Sequence, residues 1–186
     1  LLNMASSRYP EVREKMLLTV KEEPNKIFAR SVRETMKESD VTLKKLAALA
    51  LGEIRDRQSV PLLREGMKHK DPEVQVICAW ALARIGVTEG VFPVPVAYLE
   101  SRNSENQRIA VETLGLLKDR RGASVLLRRM ADSELDVKLV CAWGLARMGE
   151  EKGMEMLVRL SEESIEPIRT SANKYLADPS IPQSLY

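Results

Sequence analysis

Apolar residues recur along most of this chain at the spacing i, i+3, i+4, i+7, and no segment alternates with period two for long enough to make a convincing strand. The clearest stretch is Val74, Ile77, Cys78, Ala81, Leu82 and Ile85, one face of an amphipathic helix. Residues 74–86 then return almost unchanged as residues 137–149, an offset of 63. Cys78-Ala79-Trp80 becomes Cys141-Ala142-Trp143, and Leu82-Ala83-Arg84 becomes Leu145-Ala146-Arg147. A weaker copy occupies residues 106–117, and others begin near Val12, Leu43 and Ile168, each 31 or 32 residues from its neighbour. A second apolar-periodic segment precedes the copies, near residues 27–36, 60–67, 91–99, 123–130 and 154–160. Self-similarity at this period predicts a stack of helix pairs in place of one globular core.

Local signals mark where the helices start and stop. Asp71-Pro72-Glu73 offers a capping carboxylate followed by a proline in the first turn. Gly86 and Gly149 stand where a helix ends in the left-handed conformation. Pro61 falls early in its helix, and the pair Pro93 and Pro95 is expected to shorten or kink another. Small residues at Ala47-Ala48, Cys78-Ala79 and Cys141-Ala142 let neighbouring helices approach closely. The expectation is an all-α chain, one stack of about five to six antiparallel helix pairs over residues 1–178. A tail over residues 179–186, containing Pro179 and Pro182, is expected to leave the last repeat. The register puts Leu1-Leu2 in the last turn of a helix already under way, so the first repeat is expected to be truncated and the chain a piece of a longer protein.

The Ala/Leu/Gly-rich second helices, the charged turns Arg55-Asp56-Arg57 and Lys118-Asp119-Arg120, and the Val/Leu-Leu pairs that follow resemble HEAT-like repeats. The similarity is to the short form first named from phycobilisome lyases, and it covers essentially the whole chain. It implies a right-handed α-solenoid and ladders of charged turn residues, with Asp56 and Asp119 capping the next helix or pairing with residues such as Lys44 and Lys138. It does not assign an activity, because many functions share this fold.

Composition narrows the classes. Lys and Arg number 29 against 27 Asp and Glu, a net charge of +2, so no global nucleic-acid footprint is present. Aromatics make up only 4%, few stacking platforms for single strands. The longest apolar run, residues 91–99, contains two prolines and is too short to cross a membrane. Cys78 and Cys141 occupy equivalent positions two repeats apart; helix layers roughly 8–10 Å thick would hold them far beyond disulfide reach. Reduced, buried thiols are expected, consistent with a cytoplasmic protein.

Catalytic patterns are missing from the sequence. His69, the one histidine, stands in the turn Lys68-His69-Lys70-Asp71 and reads as a solvated loop residue. HEAT-like repeats include a di-iron hydroxylase family with His-Glu pairs on successive second helices, but Val76-Ile77 and Leu139-Val140 stand at those positions. There is no Cys-x-x-Cys, Gly-rich phosphate loop, Gly-x-Ser-x-Gly or His-Glu-x-x-His. No enzymatic activity, cofactor or metal is expected of this segment.

Binding is expected on the concave wall that second helices line. Positions facing away from the core stripe give a row of Lys45, Leu49, Val76, Trp80, Arg84, Arg108, Glu112, Leu139, Trp143 and Arg147. Trp and Arg beside aliphatics form the composition of an interface hot spot. The hypothesis is an apolar groove with basic flanks that accepts a partner helix or extended segment. The alternative is that both tryptophans fill gaps between successive second helices, with the arginines as solvated ends. The functional expectation is a non-catalytic protein–protein interaction scaffold, with self-association as a further outcome. Two other readings are carried: a nucleic-acid-binding protein that uses the fold as certain DNA glycosylases do, and a bilin lyase or chaperone-type subunit. Glu14, Glu53 and Glu112 interrupt the basic rows and weigh against the former.

Overall fold

The computed structural model describes residues 26–185 apart from 102, 132, 133 and 164. The copy expected near Val12 and the turn expected at Leu1-Leu2 lie outside the described residues. The described residues form ten α-helices and two short 3-10 turns, with no strand among them. In chain order the helices are α1 Lys26–Thr35, α2 Val41–Glu53, α3 Val60–Gly66, α4 Pro72–Ile85, α5 Pro93–Tyr98, α6 Ser104–Leu117, α7 Arg120–Ala131, α8 Leu135–Arg147, α9 Glu151–Ser161 and α10 Glu166–Leu176.

Two compact units divide the chain, Leu1–Val94 and Pro95–Tyr186. Within the first, α1 packs on α2 and α3 on α4, while the second helices α2 and α4 pack on each other. Within the second, α7 and α9 both pack on α8, and α6 and α10 flank α8 as well. Each unit is thus built from adjacent helix pairs stacked through their second helices, as the repeat spacing predicts. The division falls inside α5, the six-residue helix that carries Pro93 and Pro95.

The local chemistry explains the helix ends. The Asp71 carboxylate accepts from the backbone N–H groups of Glu73 at 2.9 Å and Val74 at 3.2 Å, and Pro72 occupies the first turn of α4. Gln75 reaches back to the His69 carbonyl, and Gln107, 32 residues on, does the same to the Ser101 carbonyl. His69 also accepts the Asp71 N–H through Nδ1 at 3.0 Å, so it is a partner in its own turn and not simply solvated. α4 stops at Gly86, φ +94°, where the Val87 N–H closes onto the Leu82 carbonyl. Arg55 and Lys118, 63 residues apart, adopt the same left-handed turn without being glycine, both at φ +51°.

Of the two expected charged turns, Asp119 caps the next helix as anticipated, whereas Asp56 does not pair with Lys44. Asp56 binds Arg33 at 2.7 Å, whereas Lys44 donates to the Met36 carbonyl. Asp119 accepts the Arg121 N–H at 2.9 Å, which caps the start of α7, and its side chain also holds the Arg121 guanidinium. Lys44 is one helix position after the first core residue of α2, and its stem is long enough to cap the preceding helix instead.

The tail also needs correction. Residues 179–185, which were expected to leave the last repeat, stay against it: Ile181 is buried and Gln183–Leu185 forms a 3-10 turn, just after Asp178 accepts the Trp143 indole N–H. An indole donor that would otherwise be buried and an isoleucine that needs cover both favour this return.

Cys78 and Cys141 are free and buried. Burial pushes each thiol up to about 12, against the opposing charges of Lys44 and Arg129 respectively. Because the folded value lies above the unfolded one, the thiols' contribution to stability is complete below about pH 8.5 and is lost as pH rises towards the folded value. Stability measured by urea unfolding is therefore expected to fall by about 1.4 kcal/mol per pH unit for each thiol in that window. A Cys78→Ala/Cys141→Ala variant with the same alkaline slope as wild type would overturn this.

Candidate functional site

The ten residues predicted for the binding wall all lie on second helices, with Lys45 and Leu49 on α2, Val76, Trp80 and Arg84 on α4, Arg108 and Glu112 on α6, and Leu139, Trp143 and Arg147 on α8. Their apolar members do not form an open stripe. Val76, Leu139 and both tryptophans are buried, with Trp80 5% and Trp143 6% exposed. α4 and α8 are apolar on nearly every side, and such helices are covered on more than one face. The packed placement of the tryptophans thus replaces the exposed groove.

Each unit makes its tryptophan pocket in its own way. In the first, Gly52 of α2 opens the space for the Trp80 ring: a Cβ at Gly52 would lie 2.7 Å from Trp80 Cζ3. The Arg84 guanidinium stands 5.7 Å from the Trp80 ring centroid. In the second, Tyr175 of α10 stacks on Trp143 with centroids 4.9 Å apart and planes at 16°. The Trp143 Nε1–H donates to Asp178 at 2.7 Å, and the Arg147 guanidinium lies 4.9 Å from the ring centroid. Burial works to raise the Asp178 carboxyl, but hydrogen bonds from Ser180 and Trp143 and the charge of Arg147 outweigh it and hold it below its ordinary value.

What remains at least partly open is charged, apart from Leu49, whereas Arg147, expected as a solvated end, is buried at 8% exposure. Lys45 pairs with Glu73 and lies 3.6 Å from Asp71. Arg84 meets Glu53 at 3.2 Å, and Glu112 sits between Arg147 at 3.6 Å and Arg108 at 3.7 Å. Arg84 and Arg147 are equivalent across the 63-residue repeat, yet their acids are not. The position of Glu53 becomes Leu116 in the later copy, and that of Leu49 becomes Glu112, so the acid has moved by one helical turn. Within each unit the charges alternate in sign, so neither presents a surplus of positive charge for a run of phosphates.

Sequence reasoning put Glu53 in the row facing away from the core without counting it among the binding residues, and it missed Tyr175 and Asp178. Glu53 is the acid 31 residues before Arg84; Tyr175 and Asp178 fall within the expected repeat but at none of the positions that the register turns towards the wall. Among the described residues no group of three or more His, Cys, Asp or Glu could hold a metal ion, and no helix is long and apolar enough to cross a membrane.

Comparison with known proteins agrees with this architecture. No curated protein is similar enough to count as a relative. Among solved structures, the chain is similar to an engineered protein at 20% identity, covering 94% of this chain and 93% of that one with a TM-score of 0.54. It is also similar to the complex of CpcE and CpcF of phycocyanin lyase from Nostoc sp. PCC7120, at 15% identity, 99% and 89% coverage and a TM-score of 0.54. At such identities the likeness is one of fold. A profile for HEAT repeats matches residues 30–94 and 92–177, most of the chain, and the chain accordingly belongs to the HEAT-repeat family.

Proposed function

We propose that the chain is a non-catalytic scaffold whose second helices hold a protein partner. The observation that carries this reading is the arginine at the same position in both units, held beside a buried tryptophan ring and by a glutamate of the preceding second helix: Arg84 by Glu53, Arg147 by Glu112. Arg147 is buried, so Arg84 is the one of the two that a partner can reach; a guanidinium fixed in this way loses little conformational freedom on binding, and arginine is among the residue types that dominate interfaces. The buried indoles serve as its rigid backing and not as the contact surface. In the first unit Lys45, Leu49 and Arg84 are then available to a partner, with Val76 and Trp80 beneath; in the second Arg108 and Glu112 are, with Leu139 and Trp143 beneath.

The test is capture of a partner with the full chain, followed by affinity measurement with the recovered protein. An Arg84→Ala/Arg108→Ala variant is expected to weaken binding by about a hundredfold, two interface arginines at roughly 1–2 kcal/mol each. Its thermal melt should stay within about 1 kcal/mol of wild type. Unchanged affinity would remove this face from the function. Tight, steeply salt-dependent binding of duplex DNA that needs the same arginines would favour the nucleic-acid reading, and a coloured chromophore co-purifying with the chain would favour the bilin-related one.

A further inference from the structure

The large apolar side chains left most open among the described residues are Val158, 45% exposed, and Ile165, 48% exposed. Val158 belongs to a cavity of about 480 Å³ between α9 and the turn Gln183–Leu185, lined by Glu151, Met154, Glu155, Val158, Ser184 and Leu185. We propose that this cavity is a docking cradle for a basic amphipathic segment of a partner protein, which places an aliphatic side chain on Met154, Val158 and Leu185 and its lysines or arginines on Glu151 and Glu155.

The charge argument fixes the occupant. Glu151, Glu155 and Val158 stand at i, i+4 and i+7, one face of α9, so both carboxylates border the apolar floor. Neither makes an ion pair among the described residues, and no basic residue lines the cavity. Lys152 and Arg159, also exposed on α9, are not among its lining. The repeat does not require these acids for folding. One repeat earlier, 31 residues before, Arg120, Ser124 and Leu127 of α7 stand at the positions of Glu151, Glu155 and Val158. The apolar position persists between the two helices, while an arginine stands in place of Glu151 and a neutral serine in place of Glu155. An apolar floor with an uncompensated acidic rim suits a helix whose hydrophobic anchor is flanked by cations.

This surface lies on a first helix, apart from the second-helix face proposed above, and its test touches none of that face. The probe is a fluorescently labelled alanine–lysine peptide helix with one leucine and a lysine one turn to either side of it. The control carries glutamate in place of lysine. Anisotropy with the full chain is expected to register the lysine peptide and not the glutamate one, with affinity that weakens as salt rises. Glu151→Lys/Glu155→Lys should weaken it by about tenfold or more, two rim charges being reversed. Val158→Asp should abolish it. All three positions are exposed, so both variants should melt like wild type. Failure of the lysine peptide to bind, or binding indifferent to both variants, would overturn the proposal. So would a wild-type dimer that Val158→Asp dissociates, because that would give the cradle to a second copy of this chain.

Discussion

A Gly153→Ala variant is expected to lose about 3 kcal/mol of stability, even though alanine is the stronger helix former. A Cβ at Gly153 would lie 2.5 Å from the Ala146 nitrogen and 2.6 Å from the Ala142 carbonyl oxygen. Both are backbone atoms of α8 and cannot rotate away. The helices α8 and α9 would have to separate, and overpacking of this kind costs roughly 1–3 kcal/mol or more, beyond the ~1 kcal/mol that alanine contributes by propensity. Gly115 is the contrasting position. It also lies inside a helix, but a Cβ there meets nothing nearer than 3.5 Å. Gly115→Ala is expected to be neutral or to add up to ~1 kcal/mol. Urea unfolding of the two variants checks both, and equal stabilities would show that the approach of α9 to α8 does not limit the fold.

Trp143→Ala is expected to cost about 3–5 kcal/mol, the range for a buried large aromatic. The loss goes beyond volume. Tyr175 loses its stacking partner, Asp178 its indole donor, and Arg147 the ring beside it. The tail that Asp178 anchors should then be cleaved faster by proteases than in wild type. Trp143→Phe keeps a ring and removes the N–H, so a smaller loss of about 1–2 kcal/mol is expected. Asp178 adds an acid dependence: its folded value is held low, so its contribution is present above the unfolded pKa and is lost as pH falls through the folded one. Trp143→Phe should lessen that acid limb in part, because the Ser180 hydrogen bonds to Asp178 remain. Wild-type stability in Trp143→Ala would mean that the indole is not part of the core. Since both tryptophans are expected to be costly to remove, their alanine variants are poor probes of binding.

Much of the architecture was legible because it is periodic. The offsets of 31, 32 and 63 residues place α1, α2, α3, α4, α6, α7, α8, α9 and α10 within a few residues of their observed limits. Asp71 and Gly86 mark the ends of α4 through chemistry that acts over one turn of chain. The proposed binding wall was less legible, and for a physical reason. Val76 and Trp80 lie on a helix that is apolar all round, so periodicity cannot say which side meets solvent. What decides is Gly52, 28 residues earlier, which leaves room for the Trp80 ring. The return of the tail depends in the same way on Trp143 and Asp178, 35 residues apart, and neither residue alone signals it.

The near-duplicate helices raise a problem of folding fidelity. Residues 74–86 and 137–149 are identical at eight of thirteen positions, so a nascent chain holds two close substitutes for one structural role. Exchange of such segments is a common failure in repeat proteins. A single methyl group guards against one such error. Gly144 of α8 corresponds to Ala81 of α4, and a Cβ at Gly144 would fall 2.5 Å from Val111 Cγ1 and 3.1 Å from Leu126 Cδ1. Were α4 to dock where α8 belongs, Ala81 would bring that methyl with it, and the misassembled state would be strained from the outset. The small divergence between the two copies thus gives each helix an address as well as a shape.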